Sequence, residues 1–501
     1  MAEQNMNAQQ QAAWTSLNER MREISLFNGA QALLHWDQQT YMPAGAAGLR
    51  GAQNASMASL THTRFTAPEV GEWLNILGEA DLDAFHTASL YNLKRERDRE
   101  VRLPTELVMA FAKAETDGFT RWMAARNAED YSLFAPALQI LLDLSKAKVA
   151  CLKTEEDCGY DVLLDQFDPG VTSAYLEPVF ERMSGEINTL LDELATRPTP
   201  APLGGTWGVA QQRALSEDVV GSLGFDLGTG RLDEAQHPFT IKMSPHDVRL
   251  TTHYYEDDLI NGLGGTIHET GHGLYEQGLP KDWFATGVGE AASLGLHESQ
   301  SRFWENFIGR SLPFCTWLSG RIQEHFGKSV DPMRLFQASN RVERSLVRTM
   351  ADETTYNLHI IVRFQMEKAL IDGDLAVADA ENAWNETYKR IVGVQATQPT
   401  DGILQDMHWS GGAFGYFPSY SLGNLYAASL GAKIQEEIPT LWTQVESGNF
   451  EEVLAWLRKN IHHRGHMAEA PVLVKDAVGE RDAVADLVTQ LRSRLGLAYG
   501  L

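Results

Sequence analysis

Cysteine is scarce in this chain: Cys151, Cys158 and Cys315 are the only three in 501 residues. That number and spacing exclude a disulfide framework and any cysteine-rich zinc site. No run of about 20 apolar residues is present, so no membrane-spanning helix is expected. Basic residues are also few, 42 against 67 acidic ones, for a formal net charge of −25. Such a balance disfavours nucleic acid and anionic membrane as partners. The opening stretch Met1 to Ala13 is polar and lacks the apolar core of a signal peptide, so a reducing cytoplasm is the expected compartment. Internal repeats and low-complexity tracts are absent, and strand signals are few.

Helical periodicity fills the gap. Leu107 to Ala125, Glu177 to Ala195 and Ala376 to Ile391 place apolar residues at three- and four-residue intervals, which predicts a mainly α fold. With 43% apolar residues and 12 tryptophans, a sizeable core is available. The clearest break is the Pro/Gly stretch from Thr196 to Gly205. It divides an N-terminal helical region, 1–197, from a region 206–501 that holds the strongest chemistry. The two are expected to fold together around one cleft rather than as independent modules.

That chemistry centres on His268-Glu269-Thr270-Gly271-His272. On a helix, His268 and His272 stand one turn apart on one face. Two neutral imidazoles so placed can share one Zn²⁺, leaving positions for a third ligand and a water. Glu269, beside the first histidine, can take a proton from that water as it attacks a carbonyl. The alternative is a helix with two surface histidines. Glu256, Asp257 and Asp258 supply negative charge near the expected helix start, and Gly278-Leu279-Pro280 reads as its stop. Gly262, Gly264, Gly265, Gly271 and Gly273 each cost up to about 1 kcal/mol in a helix interior. Only close packing would compensate, so the helix is expected to be buried.

A third ligand must come from elsewhere. Glu276 lies about 12 Å along the axis from His268, too far to close a compact site. A second helix is expected over Ala291 to Gly309, offering Glu290, Glu298 and Glu305; spacing favours Glu298 over Glu290. The extended metzincin pattern is ruled out, because Tyr275 and Gly278 stand where it needs Gly and His.

Several separated motifs now converge. They are Trp36 to Pro43, His237-Pro238-Phe239, Asp247 to Thr251, the HETGH helix, His297-Glu298-Ser299-Gln300, Val347 to Asp352, and Gly402 to Trp409. Together they resemble the thermostable-type metallocarboxypeptidases of peptidase family M32, from about residue 33 to 424. The resemblance implies a single helical zincin-like fold with a deep substrate cleft and very little strand. It implies an enzyme, usually dimeric, that removes C-terminal residues from short peptides. One metal per chain, Zn²⁺ with Co²⁺ or Mn²⁺ as alternatives, would be held by His268, His272 and Glu298, and Glu269 matches the general base. Arg302 stands where some related zinc peptidases carry an Asp, so the groups orienting the two histidines must come from another segment. Asp352 and Asp406 are the candidates.

The stretch His408 to Tyr420, rich in Gly and aromatics, is expected to be a functional loop. His408 and Tyr420 resemble the oxyanion donors of related helical zinc peptidases, with Tyr416 as the rival of Tyr420. An exopeptidase must also bind a free carboxylate, for which the planar fork of arginine is best suited. Arg348 and Arg249, both inside family motifs, are the candidates. Against them stands a charged helical stretch with Arg344, Arg363, Glu343 and Glu367, where arginines commonly form exposed ion pairs. Two other functions remain open at this level, an oligopeptidase cutting internally and a non-catalytic helical binding protein.

Overall fold

A computed structural model describes residues 6–154 and 158–501. The first five residues of the polar opening stretch lie outside it. Among the described residues the chain forms twenty α-helices and three short strands. The helices predicted from periodicity are present as Thr105–Ala128, Ser173–Leu194 and Ala380–Ile391. No helix among them is long and apolar enough to cross a membrane.

Two hydrophobic cores organise the molecule. The smaller joins the long helix Ala8–Thr40 to Pro68–Gly78 and Ala84–Arg102 through Trp14, Leu17, Val70, Leu74 and Leu90. The larger takes residues from Trp122 to Ala498 and so draws on both sides of the Pro/Gly break. That break is an irregular segment between Ser173–Leu194 and Val209–Ser222. Arg334 ties it down, donating to the carbonyls of Ala201 and Pro202.

The strands β1 (Gly230–Glu234), β2 (Thr240–Ser244) and β3 (Asp247–Thr252) form one sheet in the order β1-β3-β2. β3 is parallel to β1 and antiparallel to β2. Each strand spans only five or six residues, too few for a clear alternation signal.

The HETGH helix, Leu259–Gly278, packs on this sheet. Asp258 caps it by accepting from the Asn261 amide, and the extended residue Leu279 ahead of Pro280 ends it. More than half of its residues are buried, as its glycines predicted. Gly271 is the critical one. A Cβ there would lie 2.5 Å from the Gln300 carbonyl oxygen and 2.6 Å from Ser301 Cα, so only glycine lets the next helix approach this closely.

That next helix differs from the expected single element. Ser293 caps an α-helix over Leu294–Arg302, which then widens into a π-helical turn over Phe303–Ile308. Glu290 falls outside it and pairs with Lys242 at 2.5 Å. Such turns are uncommon and frequently mark functional sites. Here it carries Glu305.

Candidate active site

The HETGH helix and the Leu294–Arg302 helix bring three donor atoms together. Glu298 Oε2 lies 3.5 Å from His268 Nε2 and 3.4 Å from His272 Nε2. One ligand atom from each of the three side chains falls within 4.8 Å of the others, and among the described residues no other such group of His, Cys, Asp and Glu occurs. Ligand atoms about 2.0–2.1 Å from a tetrahedral Zn²⁺ are separated by roughly 3.3 Å, so the two distances to Glu298 suit such an ion. Gly423, on the helix Pro418–Glu437, makes room behind it, since a Cβ there would lie 2.5 Å from Glu298 Cγ.

Both imidazoles are held from behind, leaving Nε2 free to face the triangle. His268 Nδ1 is 2.9 Å from Glu305 Oε2. His272 Nδ1 is 2.6 Å from His297 Nδ1, and His297 Nε2 is 3.0 Å from Glu276 Oε1. Burial would raise the Glu276 carboxyl, but Lys242, 2.8 Å away, holds it well below the usual range. The carboxylate can only accept, so His297 Nε2–H donates to it. His297 Nδ1 then accepts from His272 Nδ1–H, which leaves the His272 Nε2 lone pair available. Burial pushes His272 down to about 3, so its ring is neutral.

These contacts correct the expectation that Asp352 or Asp406 orients the histidines. Asp352 instead caps the helix Glu353–Asp372, accepting from the amides of Thr354 and Thr355. Asp406 lies between Arg348 and Arg363. Glu305, offered by the sequence only as a possible ligand, instead orients His268 from the π-helical turn. His297 and Glu276 carried a usable signal: His297 directly precedes Glu298, and Glu276 lies one turn beyond His272 on the same helix.

Glu298 is itself fixed on two sides. Its Oε1 accepts from Arg302 Nε at 2.6 Å and its Oε2 from Ser301 Oγ at 2.9 Å. Burial opposes its ionisation, yet Arg302 and the two histidines hold it well below the usual carboxylate range. Glu269 is 6% exposed, and Thr240 Oγ1 on β2 donates to its Oε2 at 2.7 Å. Burial raises the Glu269 carboxyl. Nothing in the sequence pattern singled out Thr240, one residue beyond His237-Pro238-Phe239.

A second group of predicted residues lies together around aromatic rings. His408 opens a 3₁₀ turn, His408–Gly411, with its ring centre 4.5 Å from Phe417 and 5.2 Å from Tyr416. Burial pushes its imidazole down to about 4. Tyr416 and Tyr420 meet edge to face at 5.4 Å, and both hydroxyls feel the charge of Glu298. The expected loop therefore ends as a helix, because Tyr420 already belongs to Pro418–Glu437. Arg348 lies 5.3 Å over the Tyr420 ring.

Arg348 does not sit in a charged helix. It opens a short 3₁₀ turn after an irregular segment and is 7% exposed. Its Nε donates to Asp406 Oδ1 at 2.9 Å and its Nη1 to the Tyr356 hydroxyl at 2.8 Å. Arg363, fully buried, takes the other Asp406 oxygen. One carboxylate thus faces two guanidinium groups.

Arg249 is not brought to this cluster. It lies on β3 beside Asp247, 4.3 Å over the ring of Trp36 on the Ala8–Thr40 helix. Its neighbour Leu250 points to the opposite face, toward Gly273 of the HETGH helix.

Residues 16–495 match the family model of the carboxypeptidase Taq (M32) metallopeptidases. The chain is 39% identical to thermostable carboxypeptidase 1 of Thermus thermophilus, over 98% of this chain and 99% of that protein. It is 35% identical to carboxypeptidase 1 of Bacillus subtilis, covering 96% and 97% of the two chains. The crystal structure of the M32 carboxypeptidase from Deinococcus radiodurans superposes with a TM-score of 0.95 at 34% identity, over 98% of this chain and all of that one.

Proposed function

The chain belongs to the carboxypeptidase Taq (M32) family, metal-dependent carboxypeptidases, and from that premise we propose that it trims short peptides from a free C-terminus at the site built around His268, His272 and Glu298. The observation that carries this reading is the donor triangle, in which both imidazoles are held from behind in position to offer Nε2. Two nitrogens and one carboxylate oxygen at this spacing suit Zn²⁺, with Co²⁺ and Mn²⁺ as alternatives set by availability.

A divalent cation there supplies Lewis-acid chemistry, polarising the scissile carbonyl and making water a stronger acid. The side chains do the rest. Glu269, oriented by Thr240, takes the proton of the attacking water and passes it to the leaving amine. His408 and Tyr420, with Tyr416 as the alternative tyrosine, donate to the oxyanion as charge develops. Arg348 retains N–H groups beyond those used by Asp406 and Tyr356. That surplus supports Arg348 as anchor of the substrate carboxylate. Arg249 is better placed to hold the Ala8–Thr40 helix against the sheet. We propose a cytoplasmic homodimer on the family likeness.

A peptide and its C-terminally amidated twin test this function. Single-residue release from the free acid, abolished by a chelator and absent with the amide, is expected. Equal cleavage of both would establish an endopeptidase, and cleavage of neither a binding protein.

A further inference from the structure

Glu367 is a fully buried carboxylate that the mechanism above leaves unused. It lies on the helix Glu353–Asp372, and three donors converge on it. Trp409 Nε1 donates to Oε1 at 2.7 Å. The Gly415 amide and the Tyr160 hydroxyl donate to Oε2 at 2.9 and 2.8 Å. Two of the three belong to one short stretch of chain. Trp409 follows His408 directly, and Gly415 directly precedes Tyr416. The carboxylate thus grips the segment at both ends, next to His408 and Tyr416.

Gly415 shows how closely the far end is pressed down. Its φ is +86°, and a Cβ there would lie 2.6 Å from the Leu163 carbonyl carbon. The backbone it meets is the short helix Gly159–Leu164, the source of Tyr160.

A carboxylate suits this position and an amide does not. All of its lone pairs accept, so three donors can be met at once. An amide would turn its NH₂ toward either the Trp409 N–H or the Gly415 N–H, depending on its orientation, and neither of those donors can become an acceptor. A buried ionisable group is otherwise expensive to keep. Burial pushes Glu367 up to about 7, with the three donors and Arg363 opposing.

We propose that Glu367 is a positioning residue that clips the Trp409–Gly415 segment and thereby places His408 toward the reacting carbonyl. The role rests on the assignment of His408 as an oxyanion donor. Displacing such a donor by about 1 Å can cost on the order of 100-fold in rate.

The test compares Glu367→Gln, Tyr160→Phe and His408→Ala in the metal-loaded full chain, reading kcat, KM, bound metal and amide exchange at Gly415. Glu367→Gln should lower kcat about 10-fold or more with KM and metal content unchanged, and should speed Gly415 exchange. Tyr160→Phe leaves both ends of the segment gripped and should keep kcat within about twofold. A Glu367→Gln enzyme with slow Gly415 exchange and normal kcat would overturn the clip. Equal losses of thermal stability in both Glu367→Gln and Tyr160→Phe, with kcat untouched, would reduce Glu367 to core structure. Normal kcat in His408→Ala would instead overturn the oxyanion reading of His408. Should Glu367→Gln fail to fold, exchange in the unmodified protein decides: Gly415 must be protected like the core, and rapid exchange there contradicts the proposal.

Discussion

The wall proposed to hold the metal and the wall proposed to hold the substrate, with Arg348, His408, Tyr416 and Tyr420, are built differently. On the first, His268, Glu269 and His272 come from one helical turn, and Glu298 from the helix packed against it through Gly271. On the second, Arg348 and His408 open short 3₁₀ turns, Tyr416 stands on a connecting segment, and only Tyr420 is helical. Regular secondary structure sets the first wall. Buried charge, Asp406 between two arginines and Glu367 beneath three donors, sets the second.

Glu269→Gln should produce the largest effect on the metal wall, a loss of roughly 10²–10⁴-fold in kcat with metal still bound, as expected for a general base. Turnover near that of the unmodified enzyme would detach Glu269 from the chemistry. Next in size is Glu305→Ala. Loss of the partner behind His268 should weaken metal affinity by about 10–100-fold, read by competition with a chelator. Unchanged affinity would mean that helix geometry alone positions His268.

The same contrast explains what could be read from the chain. His268, Glu269 and His272 needed only a four-residue spacing. Spacing already favoured Glu298 over Glu290, which lies before the cap at Ser293, and the family resemblance agreed. Glu305 was visible as an acid on the expected second helix, but its contact with His268, 37 residues away, was not. Asp352 and Asp406 look alike as acids in motifs, yet one caps a helix and the other joins Arg348 to Arg363. Contacts across tens or hundreds of residues, such as Tyr160 to Glu367, leave no spacing to count. The sheet was equally hidden, its strands too short for alternation, although Thr240 on β2 reaches Glu269.

Smaller effects sharpen the distinction further. Asp352→Ala removes a helix cap and should cost about 1 kcal/mol of stability in denaturant unfolding, with metal affinity unaltered. A drop in metal affinity would restore Asp352 to the coordination shell's support. The subtlest test concerns pH and Glu367. Its folded pKa of about 7 lies above its unfolded value, so its contribution to stability is complete below the unfolded pKa. That contribution declines as pH rises through about 7. The stability of the unmodified protein relative to Glu367→Gln should therefore fall between pH 5 and 8. A difference that stays flat would show that Tyr160 and Arg363, the titratable and charged groups around it, keep Glu367 ionised throughout.

The most direct test of the whole account is divalent-metal content per chain after exhaustive dialysis, measured on the unmodified protein and on Glu298→Ala side by side. About one ion per chain in the former and a clear deficit in the latter is the predicted result. No stoichiometric metal in the unmodified protein, or equal content in both, would contradict it.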